Sequence, residues 1–252
     1  MNQIDINSDL GESFGAYQMG NDDEVLQFIT SANIACGFHA GDPHVMKKTV
    51  LLAKENGVSI GAHPGFQDLV GFGRREMTVS PANIYDLVLY QIGALAAFCK
   101  ANDVTLSHVK PHGALYNMAA VDLRIAESIA KAVHSFDSSL ALYGLSGSKL
   151  IQAGKSSGLQ TVSEVFADRT YQSDGTLTPR TEKNAVLYDS QDAIAQVLQI
   201  VTEGTVRCVT GETIPIHAES ICVHGDNKHA LLFVKELRTA VQNEGILIKA
   251  IR

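Results

Sequence analysis

Short runs of Ile, Val and Leu recur along the chain, separated by longer stretches whose apolar residues return every three or four positions. The short runs predict β-strands over residues 4–7, 33–36, 58–62, 105–109, 140–143, 160–165, 221–224 and 246–250, because a few β-prone residues bounded by Gly, Asn or Asp suit a buried strand. The stretches between them predict helices over 22–30, 43–56, 81–101, 122–136, 147–156, 190–203 and 227–244. Boundary residues agree with these limits. Asp42-Pro43 and Ser80-Pro81 place a capping side chain before a proline, which suits the first helical position because its missing N–H was unpaired there anyway. Asn56-Gly57 and Ser157-Gly158 read as helix stops, where glycine accepts the left-handed turn.

Alternation of strand and helix with short connections requires a parallel sheet. Seven or eight such units in 252 residues fit a closed or nearly closed barrel better than an open doubly wound sheet. No composition shift or Ser/Gly linker divides the chain, so one distorted (β/α) TIM-like barrel domain over residues 1–252 is expected. Two long polar segments, 64–79 and 167–185, each follow a predicted strand and are expected as lids on the C-terminal face, where the active-site loops of a barrel gather.

Nearly every predicted strand ends in Gly and ionisable residues. The first is followed by Asn7, Ser8, Asp9 and Glu12, the second by Cys36 to Asp42 with His39, the third by His63, and the fourth by Lys110 and His112. The sixth ends near Glu164, Asp168 and Arg169, and the late strand at His224-Gly225-Asp226. Turn chemistry explains the Gly, Asp and Asn residues. It has no use for His39, His63, Lys110, His112 and His224 at equivalent positions, so a shared polar site at the barrel mouth is expected.

Within that site, Asp9 and Glu12 suit general acid or base work, or the holding of a metal with bound phosphate. Lys110 offers a fixed positive charge to an anion, with an ion pair to a carboxylate across the barrel as the alternative. His112 suits proton transfer near neutral pH. Asp9, His39 and His63 make a conceivable metal set, although spacing across three strands does not establish one and no H-E-x-x-H is present. Gly71-Phe72-Gly73-Arg74-Arg75 places two guanidinium groups on a loop that suits an anion clamp. The four cysteines give no Cys–His pair that reads as a nucleophile, Cys36 beside His39 being the nearest.

Composition narrows the partners. A net charge of −7 without any Lys/Arg block argues against nucleic acid and against an anionic membrane surface. The four cysteines lie far apart without a C-x-x-C pair, which indicates neither a disulfide framework nor a Cys-type zinc site. The N-terminus shows no basic region followed by an apolar stretch, and the most apolar segment, 87–98, is interrupted by Tyr90, Gln91 and Gly93, short of the roughly 18 residues that span a bilayer. A cytoplasmic protein with reduced thiols is expected. Gly154-Lys155-Ser156 ends like a P-loop, but Lys149 stands where the first glycine is required, and the segment 71–76 lacks the last glycine of a dinucleotide fingerprint.

The clusters taken together resemble the LamB/YcsF family: INSDLGE (6–12), SANIACGFHAGDP (31–43), GAHPGFQD (61–68), GFGRR (71–75), VKPHGALYN (109–117) and VHGD (223–226) occur in order. The resemblance spans the chain. It implies a distorted barrel related to polysaccharide deacetylases and the role of the A subunit of a bacterial 5-oxoprolinase. That enzyme opens the lactam of 5-oxo-L-proline to L-glutamate with ATP and Mg2+, together with separate B and C subunits. On that reading Asp9, Glu12, Lys110 and His112 carry catalysis, while Asn7, Asn33, His39, His63, Arg74, Asn117 and His224 hold 5-oxoproline or ATP; a protein-bound metal stays open. Two other readings remain: a stand-alone metal-dependent hydrolase of amides or N-acetyl sugars, and a non-catalytic subunit that binds 5-oxoproline.

Overall fold

Residues 3–223 and 230–251 are described by a computed structural model of the chain. The elements in order are β1 (Gln3–Leu10), α1 (Asp22–Val25), β2 (Ser31–Ala35), α2 (Pro43–Glu55), β3 (Ser59–His63), α3 (Pro81–Ala101), β4 (Leu106–Val109), α4 (Gly113–Val121), α5 (Leu123–Phe136), β5 (Ala141–Leu145), α6 (Lys149–Ser156), β6 (Thr161–Phe166), α7 (Ser190–Glu203), β7 (Thr205–Arg207), β8 (Thr213–Pro215), β9 (Ser220–Cys222), α8 (Ala230–Asn243) and β10 (Leu247–Ile248). Strands β1, β2, β3, β4, β5, β6 and β9 pair in that order, all parallel, and β9 returns to β1 to close a seven-stranded barrel. The expected barrel is thus present. β10 adds a short parallel pairing to Gln3 and Ile4, and β7 with β8 forms a separate antiparallel ribbon.

Period two explains how one strand serves two environments. On β1 the even residues Ile4, Ile6 and Leu10 join the main apolar cluster, which lies between the barrel wall and the helices. The odd residues Asp5, Asn7 and Asp9 instead meet partners from other strands. Asp5, fully buried, accepts hydrogen bonds from Thr30, Ser31, Tyr143 and Ser220. Ala141, Tyr143 and Val162 form a second, small apolar cluster. Hydrophobic stabilisation, roughly 1.5–3 kcal/mol per fully buried Ile, Leu or Val, therefore comes mainly from the outer layer. The space enclosed by the strands is left for polar chemistry.

Gly61 shows how tightly that space is filled. It sits opposite His108 in the β3–β4 register, and a Cβ at position 61 would lie on the His108 ring.

The helices follow local rules. Asp42 accepts from His44 and Val45 N–H and Ser80 accepts from Asn83 N–H, as the capping residues predicted. In length and composition α3 would pass for a membrane span, yet Ile84, Val88, Ile92, Leu95 and Cys99 form one buried face at helical spacing in the barrel's outer layer. Gln91, which interrupts the apolar run, is buried on the same helix and pins the loop after β3: Gly65 N–H donates to its Oε1 and its Nε2 donates to Gly65 O.

Three expectations are corrected. Residues 22–30 hold only a short helix, Asp22–Val25. Residues 7–10 belong to β1 itself and do not follow it, because their polar side chains have partners inside the barrel. A further helix, Gly113–Val121, stands where the sequence pattern gives none; it starts from His112 with no side-chain cap, so it carries no start signal.

Candidate active site at the barrel mouth

The inward residues of successive strands stack toward the C-terminal face. Above Asp5, Asn7 donates through Nδ2 to Glu164 Oε1 at 2.8 Å and to Ser220 Oγ at 2.7 Å, and Asn33 Nδ2 donates to Asn7 Oδ1 at 2.7 Å and to Asp9 Oδ1 at 2.8 Å. His108 Nε2 lies 2.8 Å from Asn33 Oδ1, and burial followed by the Lys110 charge pushes its pKa down to about 3, so it is a neutral structural imidazole.

Lys110 follows β4 directly and is 2% exposed. Its Nζ stands 2.8 Å from Glu164 Oε1, 3.0 Å from Asp9 Oδ1, 3.1 Å from Asn7 Oδ1 and 3.1 Å from Cys222 Sγ. An ammonium has three N–H donors, so these acceptors leave none for a ligand. Although burial alone would lower its pKa, the Asp9 and Glu164 carboxylates hold it well above the ordinary lysine value. The expected fixed charge for an anion is corrected: the ion pair across the barrel is the arrangement found. Lys110 pairs with Asp9 and Glu164 and so holds both carboxylates in place, as a positioning residue. Glu164, buried, also accepts from Tyr116 Oη at 2.7 Å.

Over this network lies a histidine layer. His63, the last residue of β3, has Nδ1 2.7 Å from Lys110 O and Nε2 3.2 Å from Asp9 Oδ2. His112 has Nε2 2.9 Å from Phe72 O and Nδ1 2.9 Å from His63 Nε2. His39 stacks on His112 with ring centroids 3.7 Å apart and planes 1° from parallel. Burial, followed by the neighbouring imidazoles, holds His39 and His112 well below the usual histidine range. The backbone bends sharply to make this fit. Phe72 has φ of 55°, a left-handed conformation that costs a non-glycine residue about 1–3 kcal/mol. Next to it, Gly73 (φ 62°) has no room for a Cβ, which would come within 2.7 Å of His39 Cβ and 2.9 Å of His112 Cδ2.

The cavity above measures about 470 Å³, within the roughly 300–1,000 Å³ common for small-molecule sites. Asp9, Glu12, His63, Arg74, Lys110, His112 and Asn117 line it. Both polar segments reach it, 64–79 through Arg74 and Glu76, and 167–185 through Arg169, Leu177, Pro179 and Arg180. Asn7 and Asn33 lie buried in the polar column below, and His39 is buried beneath His112; none of the three lines the cavity. His224 lies outside the described residues.

One further expectation changes. Only Arg74 of the arginine pair faces the cavity; Arg75 is bonded to Asp68, whose carboxyl it holds down to about 2. Cys36 is no nucleophile, since its thiol donates to Ile34 O and burial pushes its pKa up to about 12. Sequence reasoning missed Arg180, Tyr116 and Cys222 as site residues. Arg180 follows Pro179 in a segment already marked as polar, while Tyr116 and Cys222 sit in apolar runs that give no signal.

The whole arrangement can be set beside known proteins. Residues 4–252 match the LamB/YcsF family. The chain belongs to the LamB/YcsF family. Among relatives of this LamB/YcsF protein, the 5-oxoprolinase A subunit of Geobacillus thermodenitrificans (strain NG80-2) is 60% identical over 252 residues, covering 100% of this chain and 98% of the relative. The 5-oxoprolinase A subunit of Bacillus subtilis (strain 168) is 57% identical over 251 residues, covering 100% and 98%. The crystal structure of the lactam utilization protein from Thermus thermophilus superimposes with a TM-score of 0.92 at 43% identity, covering 99% of this chain and 100% of that one. A putative cellobiose-phosphate cleavage protein from Enterococcus faecalis V583, with a TM-score of 0.56 at 14% identity, shares the fold alone.

Proposed function

We propose that this LamB/YcsF protein is the A subunit of a cytoplasmic ATP-dependent 5-oxoprolinase. With B and C partner subunits it converts 5-oxo-L-proline, ATP and two waters to L-glutamate, ADP and phosphate. The observation that carries the reading is 60% identity, end to end, to a 5-oxoprolinase A subunit.

The mouth suits that chemistry. A lactam is a resonance-stabilised amide, so ring opening needs activation of its carbonyl, a base for water and a hold on the substrate carboxylate. Activation would come from ATP with Mg2+: transfer of the terminal phosphoryl group to the lactam oxygen would release ADP, water adding to the ring carbon would expel the ring nitrogen with a proton, and a second water would release phosphate from the resulting acyl phosphate. Arg74, Arg169 and Arg180 are the groups of this chain that suit the substrate carboxylate or a phosphoryl group, since guanidinium binds both in a fork. Asp9, held in place by Lys110 and Asn33, is the carboxylate base that takes a proton from water.

Glutamate formation from 5-oxoproline and ATP is measured with this chain alone, with the partners alone and with all three. Turnover only in the complete mixture is expected. Full turnover by the partners alone makes this chain a binding subunit, and ATP-independent amide hydrolysis by the chain alone makes it a stand-alone hydrolase; either overturns the proposal. In the assembled complex Asp9→Asn is expected to lower turnover at least about 100-fold, and a change within about threefold, under about 0.7 kcal/mol, removes Asp9 from the chemistry.

A further inference from the structure

We propose that Glu12, His39, His63 and His112 form a binding site for one divalent transition-metal ion of the zinc class at the floor of the mouth. Among the described residues these four offer one ligand atom each, all within 4.8 Å of one another. The inference does not depend on which substrate the cavity takes.

Placement of the imidazole protons carries the argument. His63 Nδ1 and His112 Nε2 each face a backbone carbonyl, of Lys110 and of Phe72, at 2.7 and 2.9 Å. A carbonyl oxygen only accepts, so each ring directs an N–H there. A neutral imidazole has one N–H, which leaves His63 Nε2 and His112 Nδ1 as lone pairs, and these two atoms stand 2.9 Å apart. Lone pairs so placed require a positive species beside them, either a shared proton or a metal ion.

A shared proton would satisfy those two atoms and would leave His39 unexplained. His39 is fully buried, and among the described residues neither ring nitrogen has a hydrogen-bond partner. Its Nε2 lies 3.5 Å from Glu12 Oε1, and Glu12 Oε1 lies 3.5 Å from His112 Nδ1. Around a tetrahedral ion with bonds of about 2.0–2.1 Å, ligand atoms stand about 3.3 Å from each other, a value that the observed 2.9 and 3.5 Å bracket. His39 lies parallel to His112, so it joins the set by a tilt of its ring, which no hydrogen bond among the described residues opposes.

Three imidazoles with one carboxylate favour zinc or a neighbouring transition ion over Mg2+ and Ca2+, which select oxygen donors. The two carbonyl contacts are the outer partners that fix tautomer and ring orientation in histidine metal sites. The set differs from the one considered from sequence: Glu12 and His112 enter, and Asp9 stands beside His63, bonded to Lys110 and Asn33.

The test uses the full chain, stripped by chelator and titrated with Zn2+ and separately with Co2+. One ion per chain, competing with a chromophoric chelator at submicromolar free metal, and a Co2+ visible spectrum of tetrahedral intensity are expected. Glu12→Gln, at the rim of the cluster, is expected to weaken binding at least tenfold, and His39→Asn and His112→Asn at least 100-fold. Fewer than about 0.1 equivalents of Zn2+ retained by the wild type overturns the proposal, as does Zn2+ affinity unchanged in both Glu12→Gln and His39→Asn. Should a histidine variant fail to fold, the wild-type stoichiometry and Glu12→Gln decide alone.

Discussion

Replacing Lys110 by Met deletes the ammonium that Asp9 and Glu164 share while keeping an unbranched apolar stem of similar length. Asp9 is partly open to the cavity and regains some water, whereas Glu164 is sealed in. Removing one partner of a buried ion pair costs about 3–5 kcal/mol, because the other charge stays without compensation. The lower end applies here, since Glu164 keeps the Asn7 amide and the Tyr116 hydroxyl as donors. Set against a typical stability of about 5–15 kcal/mol, about 3 kcal/mol is a large fraction. Urea unfolding at pH 7.5 reads it as a lower midpoint at an unchanged slope. Adding Glu164→Gln to Lys110→Met neutralises the stranded carboxylate and should recover at least half of the loss. A loss under 1 kcal/mol at pH 7.5, or a double variant no more stable than the single, refutes the assignment of Lys110 as the barrel's internal counter-charge.

Gly61→Ala places a methyl on the His108 ring and should destabilise the fold by about 1–3 kcal/mol, visible as a lowered melting temperature; an unchanged one shows that β3 and β4 can part to admit it. Acid response contains contributions of opposite sign, from the buried histidines His39, His108 and His112 on one side and from Asp22 on the other. His108, with a folded pKa of about 3 against 6.5 unfolded, supports stability above 6.5 that is lost as pH falls. Asp22, raised by burial to about 6 from 3.8, does the reverse and loses its contribution as pH rises through 6. Asp22→Asn removes that opposing contribution, so between pH 6.5 and 5 this variant should lose about 1 kcal/mol more than wild type loses. Urea midpoints at both pH values check this, and equal losses in the two proteins contradict it.

Much of the barrel is legible from residue types, since the outward residues of each strand are apolar and the helix ends carry Ser, Asp, Pro and Gly. The limits of α3 and α7 follow from Ser80-Pro81, from Asp189, whose carboxylate caps α7, and from Gly204 at its end. What is misread has one physical origin. Asp5, Asn7 and Asp9 alternate with Ile4, Ile6 and Leu10 as a two-faced strand should, but a barrel interior is normally apolar, and polar residues at a strand end suggest a loop. Only the partners, Glu164 from β6 and Ser220 from β9, show that the polar face is the inner one. The site shows the same division. Strand-end histidines mark the mouth, while the engagement of Lys110 and Arg75 by carboxylates depends on distances that spacing does not encode.

Closure of the barrel through β9 has a consequence for how the chain reaches this state. One edge of β1 meets β2 within about two dozen residues, but its other edge waits for β9: Ser8 Oγ donates to Val223 O across 215 positions of sequence. Bringing ends that far apart together costs about 5 kcal/mol of chain entropy before any contact repays it. Until then β1 is an open edge with a polar inner face, a state prone to wrong pairing. During synthesis Asp5 and Asn7 therefore remain without Ser220 until the last part of the chain emerges, and refolding should be governed by this late ring closure, with most helices formed long before it.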